Sequence, residues 1–248
     1  MLSDRIYENA YISDMNDELI NLYSVVRDNV YELISDLNKH EVSKEYFLEI
    51  RNLDRTNEYK NLSNVQRASR FIYLNRTCFN GLYRVNSQGQ FNVPFGNYKN
   101  PRIVDENNLL NCSELLKNTE IKCADFSEIL TKVKKGDFVY FDPPYVPLNE
   151  TSSFTSYTKD GFDMDMQFKL REVCDELDSM GVMFMLSNSD TKFVNELYSN
   201  YEIKKVFASR AVNANAEGRG KITEVLVTLK TCYGSIWKMV STATFNGR

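Results

Sequence analysis

The chain has 248 residues, of which 42% are hydrophobic and 26% are charged, so it can form a substantial apolar core and is not biased toward disorder. A net charge of −4 argues, taken alone, against a nucleic-acid partner, and a single histidine excludes a histidine-rich metal site. The five cysteines form no Cys-x-x-Cys pair and no apolar run is long enough to span a bilayer, so we expect a reduced, cytoplasmic protein without a metal or a membrane partner.

Hydrophobic periodicity and turn signals divide the chain into helices and strands. The first half is predicted to form a strand at 10–14, helices at 16–37, 43–53 and 63–75, a hairpin over 82–94 with its turn at 87–90, and a helix at 105–117. The second half is predicted to form strands at 120–124, 137–141, 182–186, 203–208 and 222–229, and helices at 162–180 and 191–199. This alternation predicts an α/β fold with a doubly wound sheet and a helical, hairpin-bearing insert ahead of it.

The segment from Tyr59 to Val104 contains no Asp or Glu. Its basic residues are Lys60, Arg67, Arg70, Arg76, Arg84, Lys99 and Arg102. Its interleaved aromatic residues include Phe71, Tyr73, Phe79, Tyr83, Phe91, Phe95 and Tyr98. Because basic side chains neutralise phosphates and aromatic rings stack on bases, the segment predicts a nucleic-acid surface despite the negative total charge. The alternative is a basic helix whose aromatic residues belong to the core.

The apolar strand at 137–141 runs directly into Asp142-Pro143-Pro144-Tyr145. Two consecutive prolines lack N–H groups and fix φ, so strand pairing must stop there, at the carboxyl edge where open α/β sheets bind ligands. The segment presents a carboxylate, a carbonyl without a competing donor and an aromatic ring. This set suits an amino group attached to a planar ring. A purely structural turn is the alternative.

These motifs together resemble the α-group adenine-N6 DNA methyltransferases, close to the Dam and DpnII/MboI-type enzymes that modify adenine in GATC. The resemblance covers most of the chain and rests on five segments: Tyr-Ile-Ser-Asp at 11–14, the stretch at 70–86, Phe-Asn-Val-Pro-Phe-Gly at 91–96, the motif at 142–145 and Leu-Ser-Asn at 186–188. The block at 79–98 is more specific to this family than the motif at 142–145, which many methyltransferases share. The resemblance implies a Rossmann-like methyltransferase sheet with a DNA-recognition insert.

The resemblance also implies an activity: site-specific transfer of a methyl group from S-adenosylmethionine to N6 of an adenine flipped out of double-stranded DNA, in a restriction-modification or Dam-like system. Asp142 and the Pro143 carbonyl would hold the amino group, Pro144 would keep the segment rigid, and Tyr145 would stack on the base. Such direct transfer needs no covalent enzyme intermediate. A cognate restriction endonuclease is expected in the same system but not as a required physical partner.

For the cofactor, the resemblance implies that Asp14 binds the ribose and that Asp125 and Phe126 lie beside the adenine. Ala124 stands where the family usually has glycine. The alternatives are a helix N-cap for Asp14, and a cap plus a core aromatic for Asp125 and Phe126.

For DNA, the resemblance implies a recognition hairpin whose contact residues are Phe79, Asn80, Leu82, Arg84, Pro94 and Tyr98. Arg84 would read a guanine through two hydrogen bonds, and Leu82 and Pro94 would contact thymine methyl groups. Phe79 and Asn80 would fill the gap left by the flipped base. The alternatives are ordinary hairpin packing for Leu82 and Pro94, and a phosphate contact for Arg84.

One family feature is missing near the start of the chain. The family usually opens with Gly-Gly-Lys and a first strand leading into Phe-x-Gly-x-Gly, whereas the first glycine here is Gly81. We therefore expect an N-terminally truncated catalytic domain at 1–40 and 105–230 with weak stability and weak cofactor binding, a target-recognition lobe at 41–104 and an extra tail at 231–248. The alternative function is a catalytically inactive DNA-binding remnant; an rRNA or protein-glutamine methyltransferase fits the hairpin and Asp142 less well.

Overall fold

The computed structural model describes residues 8–148, 162–209 and 221–230. Their contacts divide them into two compact units, and the chain passes from the first to the second between Asp125 and Phe126. We call these the N-terminal unit and the C-terminal unit.

The predicted domain organisation follows a different division. The boundaries of the catalytic domain at 1–40 and 105–230 and of the recognition lobe at 41–104 therefore stay predictions. The predicted tail at 231–248 lies outside the described residues.

Helices form most of the N-terminal unit. They are α1 (Asp17–Asp28), α2 (Val30–Leu37), α3 (Lys44–Asn52), α4 (Asn64–Thr77) and α5 (Glu106–Leu116), with short 3₁₀ turns at Leu53–Arg55, Asn57–Asn61 and Phe79–Gly81. One buried cluster joins α1, α2, α4 and α5 through Val26, Leu33, Ala68 and Leu116. A second cluster holds α3 and α4 against the chain that follows them, around Phe47, Tyr73 and Val93.

Local capping signals explain where the helices begin. Ser63 begins α4 as predicted: its hydroxyl accepts a hydrogen bond from the Gln66 N–H, and the Gln66 side chain accepts one from the Ser63 N–H. This reciprocal cap satisfies two backbone donors that the helix cannot pair internally. The single helix predicted over 16–37 is wrong, because Asn29 has a non-helical φ of −134° and separates α1 from α2.

The N-terminal unit also contains a two-stranded parallel sheet of β1 (Ala10–Asp14) and β2 (Thr119–Cys123). In the register of this pair, Asp14 lies opposite Cys123. Because the strands are parallel, their carboxyl ends lie at the same edge of the sheet.

The C-terminal unit is built on a four-stranded sheet in the order β3-β4-β6-β5. Its strands are β3 (Phe138–Phe141), β4 (Met183–Ser189), β5 (Glu202–Ser209) and β6 (Lys221–Thr228), and its helices are α6 (Met164–Ser179) and α7 (Lys192–Leu197). Strands β3 and β4 are parallel, and β6 is antiparallel to both of its neighbours. The predicted α/β class is confirmed, and the apolar strand predicted at 137–141 is β3.

One face of this sheet carries the core of the C-terminal unit. Val139 and Phe141 of β3 and Leu186 of β4 pack with Leu170 and Leu177 of α6. Alternate residues of a strand point to opposite faces, so the neighbours of these core residues on β3 and β4 lie on the other face. That face carries Tyr140, Met185 and Ser187.

Candidate functional site

The segment Asp142–Tyr145 continues β3 without a gap, as predicted. Strand β3 ends at Phe141, whereas its parallel neighbour β4 continues to Ser189. The early end of β3 follows from the two prolines, which cannot donate to a strand ladder. Asp142 is exposed and Tyr145 is half-buried, so the motif lies at the carboxyl edge of the sheet with the end of β4 beside it.

The Asp142 carboxylate has one partner on β4. Its Oδ1 accepts a hydrogen bond from the Ser187 hydroxyl at 2.8 Å, and Ser187 is buried, with 3% of its surface exposed. The Tyr140 hydroxyl donates to the same Ser187 Oγ at 3.2 Å. Among the described residues no donor reaches Asp142 Oδ2, so this oxygen can accept a hydrogen bond from a ligand.

The backbone of the motif is held by two buried amides. Asn188 Oδ1 accepts a hydrogen bond from the Val146 N–H at 3.0 Å, and Gln167 Nε2 of α6 donates to the Pro144 carbonyl at 3.3 Å. The two amides also bond to each other, with Asn188 Nδ2 donating to Gln167 Oε1 at 3.4 Å. The Pro144 carbonyl is therefore occupied, whereas no described residue donates to the Pro143 carbonyl.

The surroundings of Tyr145 disfavour its charged form. Burial is the main cause that raises the pKa of Tyr145 to about 12; the charges of Asp142 and Glu224 add to the rise, and Ser187 opposes it. The phenol keeps its proton at physiological pH, as an ordinary tyrosine does. It can donate a hydrogen bond and present a neutral ring to a ligand.

Sequence reasoning missed four residues around this motif: Ser187, Asn188, Gln167 and Glu224. Ser187 and Asn188 belong to the Leu-Ser-Asn segment that carries part of the family resemblance, but the sequence assigned them no role. A signal was present, because Ser187, Asn188 and Ser189 are polar residues at the end of an otherwise apolar strand. Glu224 lies opposite Ser189 in the β4–β6 register and gave no signal of its own.

Asp14 and Asp125 come together at the carboxyl edge of the two-stranded sheet. The Ala124 N–H donates to the Asp14 carbonyl at 3.2 Å, so Asp125 directly follows the residue that bonds to the end of β1. The Asp14 side chain is exposed, and its Oδ1 accepts a hydrogen bond from the Asn16 N–H at 2.7 Å. The alternative of Asp14 as a helix N-cap is wrong, because the side chain of Asn16 caps α1.

Phe126 belongs to the C-terminal unit. Its ring packs against the core of that unit, 5.8 Å from the Phe162 ring between centroids. The Lys169 Nζ lies 5.1 Å from the centroid of the Phe126 ring. Phe126 therefore packs as a core aromatic residue, which was the alternative to a position beside the cofactor adenine.

The hairpin predicted over 82–94, with its turn at 87–90, is confirmed. Val85 and Phe91 pair across it, and the Asn86 N–H donates to the Gln90 carbonyl at 2.8 Å. Gly89 has φ +75°, a conformation that favours glycine and closes the turn.

The six predicted DNA-contact residues all lie on the protein surface. The exposed fractions are 47% for Phe79, 39% for Leu82 and 42% for Tyr98, and Asn80, Arg84 and Pro94 are also exposed. We call these six residues the hairpin face. Several exposed large apolar side chains within one short segment that also carries an exposed basic residue are typical of a contact surface. Their exposure argues against hairpin packing as the role of Leu82 and Pro94.

Arg84 is oriented by a residue that the sequence did not single out. Its Nε donates to Asn92 Oδ1 at 2.7 Å, and its Nη2 lies 3.4 Å from the Asn92 carbonyl. The Asn92 N–H in turn donates to the Arg84 carbonyl at 3.0 Å. Asn92 therefore binds the guanidinium edge formed by Nε and Nη2, and Nη1 makes no hydrogen bond with a described residue.

The basic surface is smaller than the sequence predicted. Arg67 pairs with Glu18 at 2.5 Å and with Asp17 at 3.1 Å. Arg70 is buried at 7% exposure and pairs with Asp54 at 2.7 Å. The basic residues of the acid-free segment that have no ion pair among the described residues are Lys60, Arg76, Arg84 and Lys99. The alternative to a nucleic-acid surface, a basic helix whose aromatic residues belong to the core, is correct in part, because Tyr73 and Phe91 are core residues.

Asp54 attaches the hairpin to the helices of the N-terminal unit. Its Oδ2 accepts hydrogen bonds from Arg70 Nη2 at 2.7 Å and from the Phe91 N–H at 2.8 Å. Arg55, which also pairs with Asp54, donates from Nη2 to the Phe91 carbonyl at 2.8 Å. Both backbone groups of Phe91 are thus bound by neighbouring side chains, as they would be by a strand partner. We call Asp54, Arg55 and Arg70 the hairpin clamp.

Two features are absent from the described part of the chain. No helix there is long and apolar enough to cross a membrane. No group of three or more His, Cys, Asp or Glu side chains there is placed to hold a metal ion.

Comparison with known proteins gives matches over most of the chain. A family model described as D12 class N6 adenine-specific DNA methyltransferase matches residues 3–212. The chain is 50% identical over 225 residues to the Type II methyltransferase M1.LlaDCHI of Lactococcus lactis subsp. cremoris, which covers 89% of this chain and 79% of that protein. It is 46% identical over 224 residues to the Type II methyltransferase M.MjaIII of Methanocaldococcus jannaschii (86% and 77%). It is 33% identical over 225 residues to a DNA adenine methylase of Vibrio cholerae (89% and 79%).

We predict that Asp54→Asn destabilises the protein strongly. The Asp54 and Arg70 side chains are 8% and 9% exposed, and removing one charge of a buried pair leaves the other uncompensated at a cost of about 3–5 kcal/mol. Urea denaturation should show this loss in the free energy of unfolding. Glu114→Gln is the matched control: it removes a carboxylate that pairs with Lys117 on the surface, and it should cost at most about 1 kcal/mol. An equal effect of both variants would contradict the structural role of the hairpin clamp.

Proposed function

The chain belongs to the D12 class N6 adenine-specific DNA methyltransferase family, and we propose that it methylates N6 of a flipped adenine within GATC in double-stranded DNA. The GATC target is proposed from the resemblance of the segment at 79–98 to the enzymes that modify this sequence. A role in a restriction-modification or Dam-like system is proposed because its relatives are named Type II methyltransferases and DNA adenine methylases. The observation that carries the proposal is the geometry of Asp142–Tyr145 beside the end of β4.

That segment supports the binding of an exocyclic amino group. Asp142 Oδ2 and the Pro143 carbonyl are two acceptors without donors among the described residues, and an N6 amino group has two hydrogens to donate. The neutral Tyr145 ring offers a stacking platform for the base. A carboxylate is a stronger acceptor than an amide, so Asp142 suits a group that gains positive charge during the reaction.

The same residues support the chemistry. S-adenosylmethionine, when bound, supplies a methyl group made electrophilic by its sulfonium. Hydrogen bonds from N6 to Asp142 and Pro143 draw the nitrogen lone pair out of conjugation with the ring, so that N6 becomes a nucleophile of fixed direction. The exposed Asp142 carboxylate can accept the proton that N6 releases and pass it to water. No covalent bond to the protein forms at any stage.

For the cofactor we propose Asp14 and Asp125 as ribose and adenine ligands, with Phe126 as the adjoining aromatic residue. The Asp14 carboxylate fits this role because it is exposed and, among the described residues, only its Oδ1 is engaged, by the Asn16 N–H. The second oxygen can accept a ribose hydroxyl.

For DNA we propose that the hairpin face contacts the target. Arg84 has the clearest chemistry, because Asn92 holds its Nε and leaves a guanidinium edge for guanine O6 and N7. Leu82 and Pro94 offer apolar surface to thymine methyl groups. Phe79 and Asn80 are exposed and can occupy the gap in the stack. Tyr98 and Lys99, also exposed, are available for contacts with the phosphate backbone.

We predict that Asp142→Ala abolishes methyl transfer while the affinity for DNA stays unchanged, because Asp142 is proposed to act on the flipped base alone. Transfer is measured as N6-methyladenine by nucleoside mass spectrometry, and affinity by fluorescence anisotropy of a GATC duplex. Asp178→Ala, which removes an exposed carboxylate of α6, is the control. Near-normal turnover by Asp142→Ala would contradict the proposed role. DNA binding by the unaltered chain without any N6-methyladenine would favour the alternative of a DNA-binding remnant.

We predict that Arg84→Ala and Lys99→Ala weaken DNA binding in different ways. Loss of a side chain that reads a base should relax the preference for guanine at one position, by about 1–3 kcal/mol. Loss of a phosphate contact should weaken all sequences alike and reduce the dependence of affinity on salt. Titration of GATC duplexes and of duplexes with single substitutions, at several salt concentrations, separates the two patterns. Uniform weakening by Arg84→Ala would make Arg84 a phosphate contact.

A further inference from the structure

The hydroxyl of Ser187 lies between two polar side chains, Tyr140 and Asp142, at the carboxyl edge of the four-stranded sheet. We propose that Ser187 is a positioning residue that sets the orientation of the Asp142 carboxylate for the reaction. The inference rests on the proposed function of Asp142, and it assigns a task to a residue that does not itself touch the base.

The hydrogen bonds around Ser187 show where its hydrogen lies. A serine hydroxyl has one hydrogen to donate and two lone pairs to accept with. Its hydrogen lies toward Asp142 Oδ1 at 2.8 Å, and its oxygen accepts from Tyr140 at 3.2 Å. The charge of Asp142 raises the pKa of Tyr145, so the Tyr145 ring lies close enough to sense the position of that carboxylate.

A competing acceptor does not change this assignment. The Phe141 carbonyl lies 3.5 Å from Ser187 Oγ, farther than Asp142 Oδ1. A hydrogen bond to a carboxylate is about twice as strong as one to a neutral carbonyl. The serine hydrogen therefore belongs to Asp142.

Ser187 is itself immobile. It is buried at 3% exposure on β4, which is paired on both sides in the four-stranded sheet. Asp142, in contrast, is exposed and lies beyond the last residue of β3, where an aspartate side chain is otherwise free to sample several rotamers. A hydrogen bond from a fixed hydroxyl selects one of them, with Oδ1 on Ser187 and Oδ2 available for the N6 amino group.

Residues other than Ser187 hold the backbone of the segment that follows β3. Asn188 binds the Val146 N–H and Gln167 binds the Pro144 carbonyl, so the path of the chain through the two prolines does not depend on Ser187. Removal of the Ser187 hydroxyl therefore leaves the segment in place and releases only the Asp142 carboxylate. A displacement of about 1 Å in a reacting group is enough to cost about a hundredfold in rate.

The test compares three variants of the full chain. Ser187→Ala should lower the single-turnover rate constant for methyl transfer about tenfold to a hundredfold, while the dissociation constant of the GATC duplex stays within about twofold, since no DNA contact is lost. Ser189→Ala is the matched control, because Ser189 lies on the same face of β4 with the same 3% exposure, and it should leave the rate unchanged. Tyr140→Phe removes one donor to Ser187 and should lower the rate less, by about fivefold.

A second readout does not require activity. With 3-fluorotyrosine placed at position 145, the ¹⁹F resonance of the free protein should shift or broaden in Ser187→Ala and stay in place in Ser189→Ala. An unchanged resonance together with an unchanged rate in Ser187→Ala, or an equal loss of rate in Ser189→Ala, would overturn the proposal. If Ser187→Ala does not fold, the rate and resonance of Tyr140→Phe decide. If the unaltered chain transfers no methyl group, the proposed function fails, and the resonance alone decides whether Ser187 positions the Asp142 carboxylate beside Tyr145.

Discussion

Two consecutive prolines end β3 at Phe141, whereas β4 continues beside them to Ser189. The proposed site in the C-terminal unit depends on this difference between the ends of β3 and β4. The segment that has left the sheet cannot pair through its backbone, so side chains at the end of β4 bind it instead. Asn188 holds the path of the chain, and Ser187 binds the carboxylate. A rigid sheet thereby carries an exposed Asp142 in one orientation, which is what a direct transfer reaction requires of its binding groups.

In the N-terminal unit, side chains likewise bind a backbone segment that has few strand partners. The hairpin forms only isolated bridges rather than a continuous ladder, so its own backbone bonding is sparse. Asp54 and Arg55 bind both backbone groups of Phe91, and Arg70 balances the buried charge. The cost of burying these ions is offset only when every partner is present. Because these contacts hold the hairpin, Phe79 and its apolar neighbours stay exposed and do not collapse onto the core.

Sequence reasoning succeeded where the signal was local. The apolar strand β3, the proline pair that ends it and the start of α4 at Ser63 are each set by residues within a few positions of one another, and all three are found as predicted. It failed where the partner is distant in the chain. Arg67 and Arg70 were assigned to a nucleic-acid surface but are engaged by acids outside their segment. The bond between Ser187 and Asp142 spans 45 positions, and only the pairing of β3 with β4 brings the two together.

The central claim is that an adenine leaves the duplex and stacks on Tyr145, and photocrosslinking tests it most directly. A GATC duplex with 5-iodouracil in place of the target adenine is irradiated in complex with the full chain, and the crosslinked peptide is identified by mass spectrometry. The measurement needs neither cofactor nor turnover. The account predicts a crosslink to Tyr145. A crosslink confined to hairpin residues such as Phe79 would show that the target base does not reach the Asp142–Tyr145 segment, and it would contradict the account.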